Sequence, residues 1–131
     1  MTTFLLATAS VHTTAAACDY LADRAGPGDT VLVVGVVEPG MDPRDVADAA
    51  NVARTRLVEP AVETLTPEGQ AAEETQRVAA ERDVDEVLVG PRRGDPDAPA
   101  GLGSTAANLL LGLSVPVVVV PVPDLDRGPQ A

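Results

Sequence analysis

The sequence predicts an α/β protein built on one doubly wound, five-stranded parallel sheet with helices on both faces. Five strand-like segments alternate with four helical segments, an order that produces parallel strands joined by crossover helices. Two of the strand-like segments, Thr30–Val37 and Val117–Val122, are nearly continuous apolar runs rich in valine. Such runs are typical of strands covered on both faces, so we expect helices on each side and the first strand near the middle of the sheet.

The first three elements follow from apolar spacing and from helix stop signals. The first strand is predicted at Phe4–Thr8, a short apolar run. Apolar residues at helical spacing occupy Thr13–Ala25, and the Gly26-Pro27-Gly28 segment is expected to end that helix. Thr30–Val37 is then the second strand.

The next two helices are each expected to open with a capping residue followed by proline. Asp42–Val58 begins with such a pair, with Pro43 at the first helical position. Thr66–Arg82 begins in the same way, with Pro67 after the capping threonine. Between them, Ala61–Leu65 predicts a short, weak third strand.

The last part of the chain predicts a fourth strand at Val84–Val89, a helix at Ser104–Leu113 and a final strand at Val117–Val122. No internal repeat or long linker divides the 131 residues, which are enough for one hydrophobic core. We therefore expect one domain over residues 1–123 and a flexible C-terminal tail over residues 124–131.

The charge balance is strongly acidic. Twenty Asp and Glu oppose nine basic residues, all of them arginine, and the formal net charge is −11. A compact fold with this charge repels itself unless salt screens it, so we predict adaptation to a salty cytoplasm. Nucleic acids and anionic membrane surfaces are poor partners for such a chain, and 2% aromatic residues do not favour base stacking.

The location expected from the sequence is the cytoplasm. Cys18 is the only cysteine, which excludes an intramolecular disulfide and favours a reducing compartment. The apolar run Phe4–Ala7 is too short for a signal peptide and has no basic leader. No window is long enough for a transmembrane helix.

The segment from Val84 to Val122 is the strongest functional signal. A loop rich in glycine, proline and aspartate connects a strand to a helix that is expected to start at Gly103-Ser104. In α/β proteins, small residues in such a loop let a phosphate approach the backbone, and the first N–H groups of the helix are free to bind it. This loop is therefore the predicted binding site.

With these elements in order, the chain resembles the universal stress protein family over nearly its whole length. The family pattern is Gly, two residues, Gly, nine residues, Gly, then Ser or Thr, followed by a helix and a Pro-Val-rich last strand. Gly90, Gly103 and Ser104 match the first glycine, the last glycine and the hydroxyl residue at the required interval. Pro116 and the four valines after it match the last strand. The resemblance implies a Rossmann-like fold of the adenine-nucleotide α-hydrolase type.

Two departures from the family pattern bear on its nucleotide site. Arg93 occupies the position of the middle glycine, with Gly94 one residue late, and its side chain either closes the phosphate pocket or binds phosphate oxygens bidentately. As a third possibility, Arg92 and Arg93 form salt bridges with Asp95 or Asp97 and only order the loop. Nucleotide-binding members also carry an aspartate where this chain has Ala9, a loss that weakens the case for ATP.

If a nucleotide binds, the resemblance implies ATP or AMP, with Mg²⁺ only alongside a triphosphate. The adenine would lie near the ends of the first two strands and the phosphates near the loop and the fourth helix. The residues so implied are Ala7, Thr8, Val36, Gly90, Arg93, Gly103, Ser104 and Thr105. Without the resemblance, Ser104 reads as an ordinary helix cap and Val36 as core.

Catalysis and a dedicated metal site are not expected. His12 is the only histidine and reads as a polar residue at a helix start, although Ser10 lies nearby. Asp95 and Asp97 are expected in any acidic loop, and metal-ligating His and Cys are nearly absent. Three functions fit a chain of this kind: a nucleotide-binding stress sensor or switch, a dimeric interaction module that has lost nucleotide, and an ATP hydrolase, for which no general base can be named. The dimer is expected to form through Val117–Val122, because a bare apolar edge strand invites pairing.

Overall fold

The computed structural model describes residues 1–90, 107–108 and 112–122. Residues 107, 108 and 112 are helical, whereas most of the predicted fourth helix and the tail over residues 124–131 lie outside the described residues. The described elements are β1 (Thr3–Ala7), α1 (Val11–Leu21), β2 (Thr30–Val34), α2 (Pro43–Arg56), β3 (Ala61–Leu65), α3 (Ala71–Glu81), β4 (Glu86–Val89) and β5 (Val117–Val119).

The five strands form one parallel sheet in the order β3-β2-β1-β4-β5, with β1 in the centre as predicted. Leu5 of β1 pairs with Leu32 of β2 and with Val87 of β4, so β1 is bonded on both sides. The strands β3 and β5 form the two edges. The doubly wound α/β architecture predicted from the sequence is confirmed.

Apolar clusters cover both faces of the sheet. One face packs against α1 and α2, through residues such as Leu21 and Ala53. The opposite face packs against α3, through Val78 and Ala79. The β2 segment Val31–Val34 is 0–1% exposed, which confirms the prediction of a strand buried on both faces.

Helix α1 begins at Val11, two residues before the predicted start. Ser10 has an extended backbone, and its Oγ accepts a hydrogen bond from the Thr13 N–H at 3.1 Å. A serine in this position satisfies one of the free N–H groups of the first turn, so the helix begins directly after it. The helix ends at Leu21, before the predicted end at Ala25.

Helix α2 begins as predicted, with the Asp42 carboxylate capping the Arg44 N–H and Pro43 at the first position. The prediction for α3 is wrong at its start. The segment after Thr66 extends the sheet instead: the Val37 N–H donates to the Pro67 carbonyl, and the Gly69 N–H donates to the Val37 carbonyl. Because these backbone groups are held by the end of β2, the helix begins only at Ala71.

Three strands are shorter than predicted. Strand β2 ends at Val34 rather than Val37, which contributes only an isolated bridge to Glu68. Strand β4 begins at Glu86. Strand β5 covers only Val117–Val119, and its residues are half-buried rather than fully buried because an edge strand has a neighbour on one side only.

Among the described residues, none of the helices has the length and apolar character that crossing a membrane requires.

Candidate functional site

The candidate site lies at the carboxyl ends of β1 and β4, where the winding of the sheet reverses. From β1 the chain moves outward through β2 to β3, and α3 then returns it to β4 on the other side of β1. Helix α1, which follows β1, covers one face of the sheet, and α3, which leads into β4, covers the other. Ligands of open α/β sheets bind at such a switch point.

Two of the three residues predicted near adenine lie on the same face of the sheet. Ala7 ends β1 and Val36 follows β2, and both belong to the apolar cluster on the α3 side. Ala7 is half-buried, whereas Val36 is 6% exposed. Of the two, Ala7 is the more accessible, and Val36 is part of the core beneath the end of the sheet.

Thr8, the third of these residues, bonds with α1 through its side chain. Its Oγ1 donates to the Ser10 carbonyl at 3.0 Å and lies 2.8 Å from Oγ1 of Thr14, which is fully buried in α1. The Ser10 N–H points back at Thr8 Oγ1 at 3.4 Å. The Thr8 hydroxyl therefore stabilises the β1–α1 loop from within.

Ser10 and Thr13 complete this group of hydroxyls, which we call the hydroxyl cluster (Thr8, Ser10, Thr13 and Thr14). Ser10 Oγ donates to Thr13 Oγ1 at 3.0 Å, and Thr14 Oγ1 donates to the Ser10 carbonyl at 3.1 Å. Three of the four side chains, all but Ser10, are buried. A satisfied buried network holds its loop in one conformation, so the end of β1 is rigidly placed.

Sequence reasoning missed the cluster except for Thr8. The signal was present in the spacing Thr8, Ser10, Thr13, Thr14, because serine and threonine just before a helix form caps and local turns. Because α1 was predicted to start at Thr13, Ser10 was not recognised as the residue that caps it.

The end of β2 is closely covered by α2. The Gly35 N–H donates to the Leu65 carbonyl at 2.9 Å. A Cβ atom at Gly35 would lie 2.7 Å from Val46 Cγ1, so only glycine lets the first turns of α2 come this close.

The segment after β3 covers the other side of the β2 end. Beyond the bridge between Val37 and Glu68, Glu38 Oε2 accepts a hydrogen bond from the Ala71 N–H at 3.1 Å, at the start of α3. A carboxylate there is stabilised by the helix dipole. The end of β2 is therefore covered on one side by α2 and on the other by the segment after β3.

The segment of β1 and the start of α1 carries no charged side chain. Residues 1–18, which include β1 and most of α1, contain no Asp, Glu, Lys or Arg in a chain of net charge −11. The first turn of α1 has no acidic residue, whereas those of α2 and α3 contain Asp45 or Glu73 and Glu74. Residues 1–18 therefore add no repulsion of their own toward an anion at the end of β1.

On the β4 side, Gly90 follows the strand directly and is half-buried. Gln76 of α3 contacts the helical residues beyond the loop: its Nε2 donates to the Asn108 carbonyl at 3.3 Å and lies against Gly112. This contact, which the sequence did not suggest, joins the fourth helix to α3.

The remaining predicted site residues lie outside the described residues. They are Arg93, Gly103, Ser104 and Thr105, together with the neighbouring Arg92, Asp95 and Asp97.

The structure gives neither His12 nor Cys18 a catalytic environment. His12 lies exposed in the first turn of α1, as expected for a polar residue at a helix start. Cys18 is 1% exposed, and burial raises the pKa of its thiol to about 11, so it is an inert core residue. No group of three or more His, Cys, Asp or Glu in the described part of the chain has the arrangement of a metal site.

A family model supports the same relationship as the motif. The model described as the universal stress protein family matches residues 1–121. A comparison with curated protein sequences finds no match.

Solved structures share the fold at low sequence identity. A universal stress protein in complex with cAMP has a TM-score of 0.68 and 19% identity, over 93% of this chain and 98% of that one. A family protein from Arabidopsis thaliana with AMP bound has a TM-score of 0.64 and 14% identity, over 99% and 97%. The universal stress protein from Archaeoglobus fulgidus in complex with dAMP has a TM-score of 0.59 and 18% identity, over 92% and 97%.

Proposed function

This chain belongs to the universal stress protein family, and we propose that it binds an adenine nucleotide, AMP or ATP, as a stress-response sensor or switch. The observation that carries the proposal is the switch point, where β1 and β4 lie side by side and the strand order reverses. Three structural neighbours hold cAMP, AMP or dAMP, which supports an adenine nucleotide as the ligand class.

The chemistry of the switch point suits such a ligand. Ala7 offers apolar contact for the base, and Gly90 leaves the backbone after β4 accessible. Residues 1–18, which lack acidic side chains, add no repulsion toward the phosphate end. We infer that Gly103, Ser104 and Thr105 donate backbone N–H groups to the phosphates, and that Mg²⁺ accompanies only a triphosphate.

Arg93 decides the affinity in this proposal. A helix N-terminus contributes only about 0.3–1 kcal/mol toward an anion, which is small against a net charge of −11. A bidentate guanidinium is a stronger phosphate ligand, so Arg93→Ala should weaken AMP binding by about tenfold or more, or about 1.4 kcal/mol. If Arg93 instead fills the pocket, Arg93→Gly should strengthen binding.

The experiment is a calorimetric titration of AMP and ATP into the parent protein, Arg93→Ala and Arg93→Gly in buffer with high salt. Arg56→Ala is the matched control: it removes the same charge at the last residue of α2, where Arg56 pairs with Asp19 at 3.5 Å. The control should bind like the parent. Nucleotide copurifying with the protein is checked by heat release, adenine absorbance and mass spectrometry, to which a chain with one Tyr and no Trp adds little absorbance.

The second candidate function is an interaction module of the same fold without nucleotide. The observations that favour it are Ala9, in place of the acidic residue of nucleotide-binding members, and Arg93 in place of glycine. Absence of binding heat for AMP and ATP in all three proteins, with no copurifying nucleotide, would refute nucleotide binding and leave the interaction module as the standing proposal.

The proposed role is binding rather than catalysis, and we place it in the cytoplasm. In the hydroxyl cluster the Ser10 Oγ is bonded to Thr13 and not to the single histidine, so it is not activated as a nucleophile. Incubation of ATP with the protein should leave the nucleotide intact, which liquid chromatography measures. Turnover would contradict this part of the proposal.

We also propose a homodimer through the β5 edge, over the segment Val117–Val122. The two edges of the sheet differ: β3 carries charged contacts, with Glu63 bonded twice to Arg82 at 2.7 and 2.9 Å, whereas β5 is valine throughout. A charged edge resists pairing, and an apolar edge promotes it.

A proline scan tests the dimer. The Val87 N–H donates to the Pro116 carbonyl and the Val120 N–H to the Val89 carbonyl, so the alternation in a parallel ladder turns the N–H of Val119 away from β4. Val119→Pro should therefore give a folded monomer by light scattering at high salt, because proline is tolerated where the N–H faces outward. Val118→Pro, the control, removes an N–H that faces β4 and should destabilise the monomer itself. A parent protein that is monomeric would refute the dimer.

A further inference from the structure

Strand β3, the edge of the sheet opposite β5, carries side-chain contacts that bear on assembly. We propose that β3 is a second surface for pairing with a copy of this chain, and that Arg54 and Arg82, here called the edge arginines, hold it closed. Assembly through β5 then stops at the dimer. This inference rests on the proposed dimer for the size of the assemblies, but not for the pairing of β3 itself.

Part of the β3 backbone faces away from the sheet. The Ala61 N–H donates to the Asp29 carbonyl just before β2, so alternate residues of β3, counted from Ala61, bond to the β2 side. By the alternation of a parallel ladder, the N–H and C=O groups of Val62 and Thr64 point outward. Outward-facing backbone groups of an edge strand are a template for pairing with another strand.

The edge arginines reach β3 from opposite faces of the sheet. Arg54 of α2 donates from its Nη2 to Thr64 Oγ1 at 3.2 Å. Arg82, directly after α3, donates from Nη1 and Nη2 to the two carboxylate oxygens of Glu63, at 2.7 and 2.9 Å. Because α2 and α3 pack on opposite faces, a guanidinium group flanks the outward-facing part of β3 on each side.

Two copies that paired through β3 would bring these groups together like against like. Antiparallel pairing of identical edge strands has its two-fold axis perpendicular to the sheet, so each face of one copy continues as the same face of the other. The two copies of Arg54 would then share one face, and the two copies of Arg82 the other. Like charges opposed across a strand pair are destabilising, and moving Arg82 aside would break a bidentate, charge-assisted contact.

Repulsion between whole molecules does not protect this edge in a salty medium. The net charge of −11 keeps copies apart at low ionic strength, but the Debye length falls to about 3 Å at about 1 M salt. Contacts at hydrogen-bond distance, such as those of the edge arginines, act within that length. With β3 open, copies already joined through β5 would continue through β3 into a chain instead of stopping at two.

The experiment compares the parent protein with an opened variant and a matched control. The opened variant removes both edge arginines and the carboxylate on β3: Arg54→Ala, Glu63→Val and Arg82→Ala. The control makes the same charge changes on helix surfaces: Arg44→Ala, Arg77→Ala and Glu81→Val. Arg77 and Glu81 pair at 3.0 Å on α3, and Arg44 is exposed at the start of α2. Light scattering at high and low salt gives the mass, and circular dichroism checks the fold.

At high salt, we expect the mass of the opened variant to exceed that of the parent by about twofold or more, and the control to match the parent. A dimeric parent should give longer chains, whereas a monomeric parent, which refutes the β5 dimer, should give a dimer through β3. Low salt should reduce the association, because the net charge is then unscreened. An opened variant that keeps the parent's mass at high salt would overturn the inference.

Val62→Pro, added to the opened variant, identifies the contact. The N–H of Val62 faces outward, so proline there removes a bond to a second copy and none to β2. The added proline should restore the parent's mass, and large assemblies that persist would overturn the placement of the contact on β3. Should the opened variant fail to fold, a variant that keeps the side-chain lengths replaces it under the same expectations: Arg54→Gln, Glu63→Gln and Arg82→Gln.

Discussion

Gly35→Ala should destabilise the protein, because the added methyl group has no room between β2 and α2. A Cβ at this position lies 2.7 Å from Val46 Cγ1 and 3.7 Å from the Thr8 carbonyl oxygen. Carbon atoms in contact prefer about 3.5–4.0 Å, so the overlap with Val46 approaches about 1 Å. The backbone of Gly35 is not left-handed, so steric overlap alone determines the effect.

The neighbour has little freedom to relieve this overlap. Val46 is 2% exposed, and a valine in a helix has one strongly preferred rotamer, so α2 itself must shift. Overpacking of this kind costs about 1–3 kcal/mol. For a chain of this size, that corresponds to a fall in Tm of about 3–6 °C per kcal/mol.

Urea unfolding at high salt measures the effect. Gly26→Ala is the control, since the nearest atom to its Cβ is Glu59 Oε2 at 3.9 Å and its backbone is not left-handed; it should be neutral or stabilising by about 0.4–1 kcal/mol. If overlap is the cause, adding Val46→Ala to Gly35→Ala should cost less than the sum of the two single changes. A free energy of unfolding for Gly35→Ala within about 0.5 kcal/mol of the parent would refute the argument.

Three further predictions follow from charge and burial. Hydrogen bonds from the Gly26 and Thr2 N–H groups lower the pKa of Asp29. The contribution of Asp29 to stability is therefore complete above the ordinary aspartate pKa and is lost as the pH falls through the lowered value. In acid unfolding below about pH 4, Asp29→Asn should lose less stability than the parent protein does. Cys18 is 1% exposed and the pKa of its thiol is raised to about 11, so thiol reagents at neutral pH should label it only after urea unfolding, and rapid labelling of the folded protein would contradict its burial. With a net charge of −11, the protein should lose thermal stability on dilution from high to low salt, and equal Tm values in both would show that the acidic excess does not affect folding.

The alternation of elements and the central position of β1 were determined by the sequence itself. Valine-rich runs need cover on both faces, and this requirement is local enough to be read from Thr30–Val37 without coordinates. The start of α2 was also predictable, because the Asp42-Pro43 pair acts through its own backbone and side chains. The bounds of β3 were predicted correctly as well.

Where the prediction was wrong, a distant segment had decided the outcome. The Thr66-Pro67 pair has the same local pattern as Asp42-Pro43, yet it forms no helix start because Val37 holds the carbonyl of Pro67 through sheet pairing. Strand β5 has the composition of a buried strand and is half-buried because of its place at the edge. Neither sheet pairing nor edge position is encoded in the segment concerned.

The candidate site divides in the same way. The sequence predicted the glycine-rich loop after β4 and the place of Thr8 at the end of β1, but not the bonding of Ser10, Thr13 and Thr14 with one another. Only the tertiary structure showed that Ala7 and Val36 share a face of the sheet and that Thr8 bonds with α1. It also showed that Val46 packs so closely on Gly35 that no side chain fits there. These relations join residues from different strands and helices, and the direction of a side chain depends on which partners the fold brings to it.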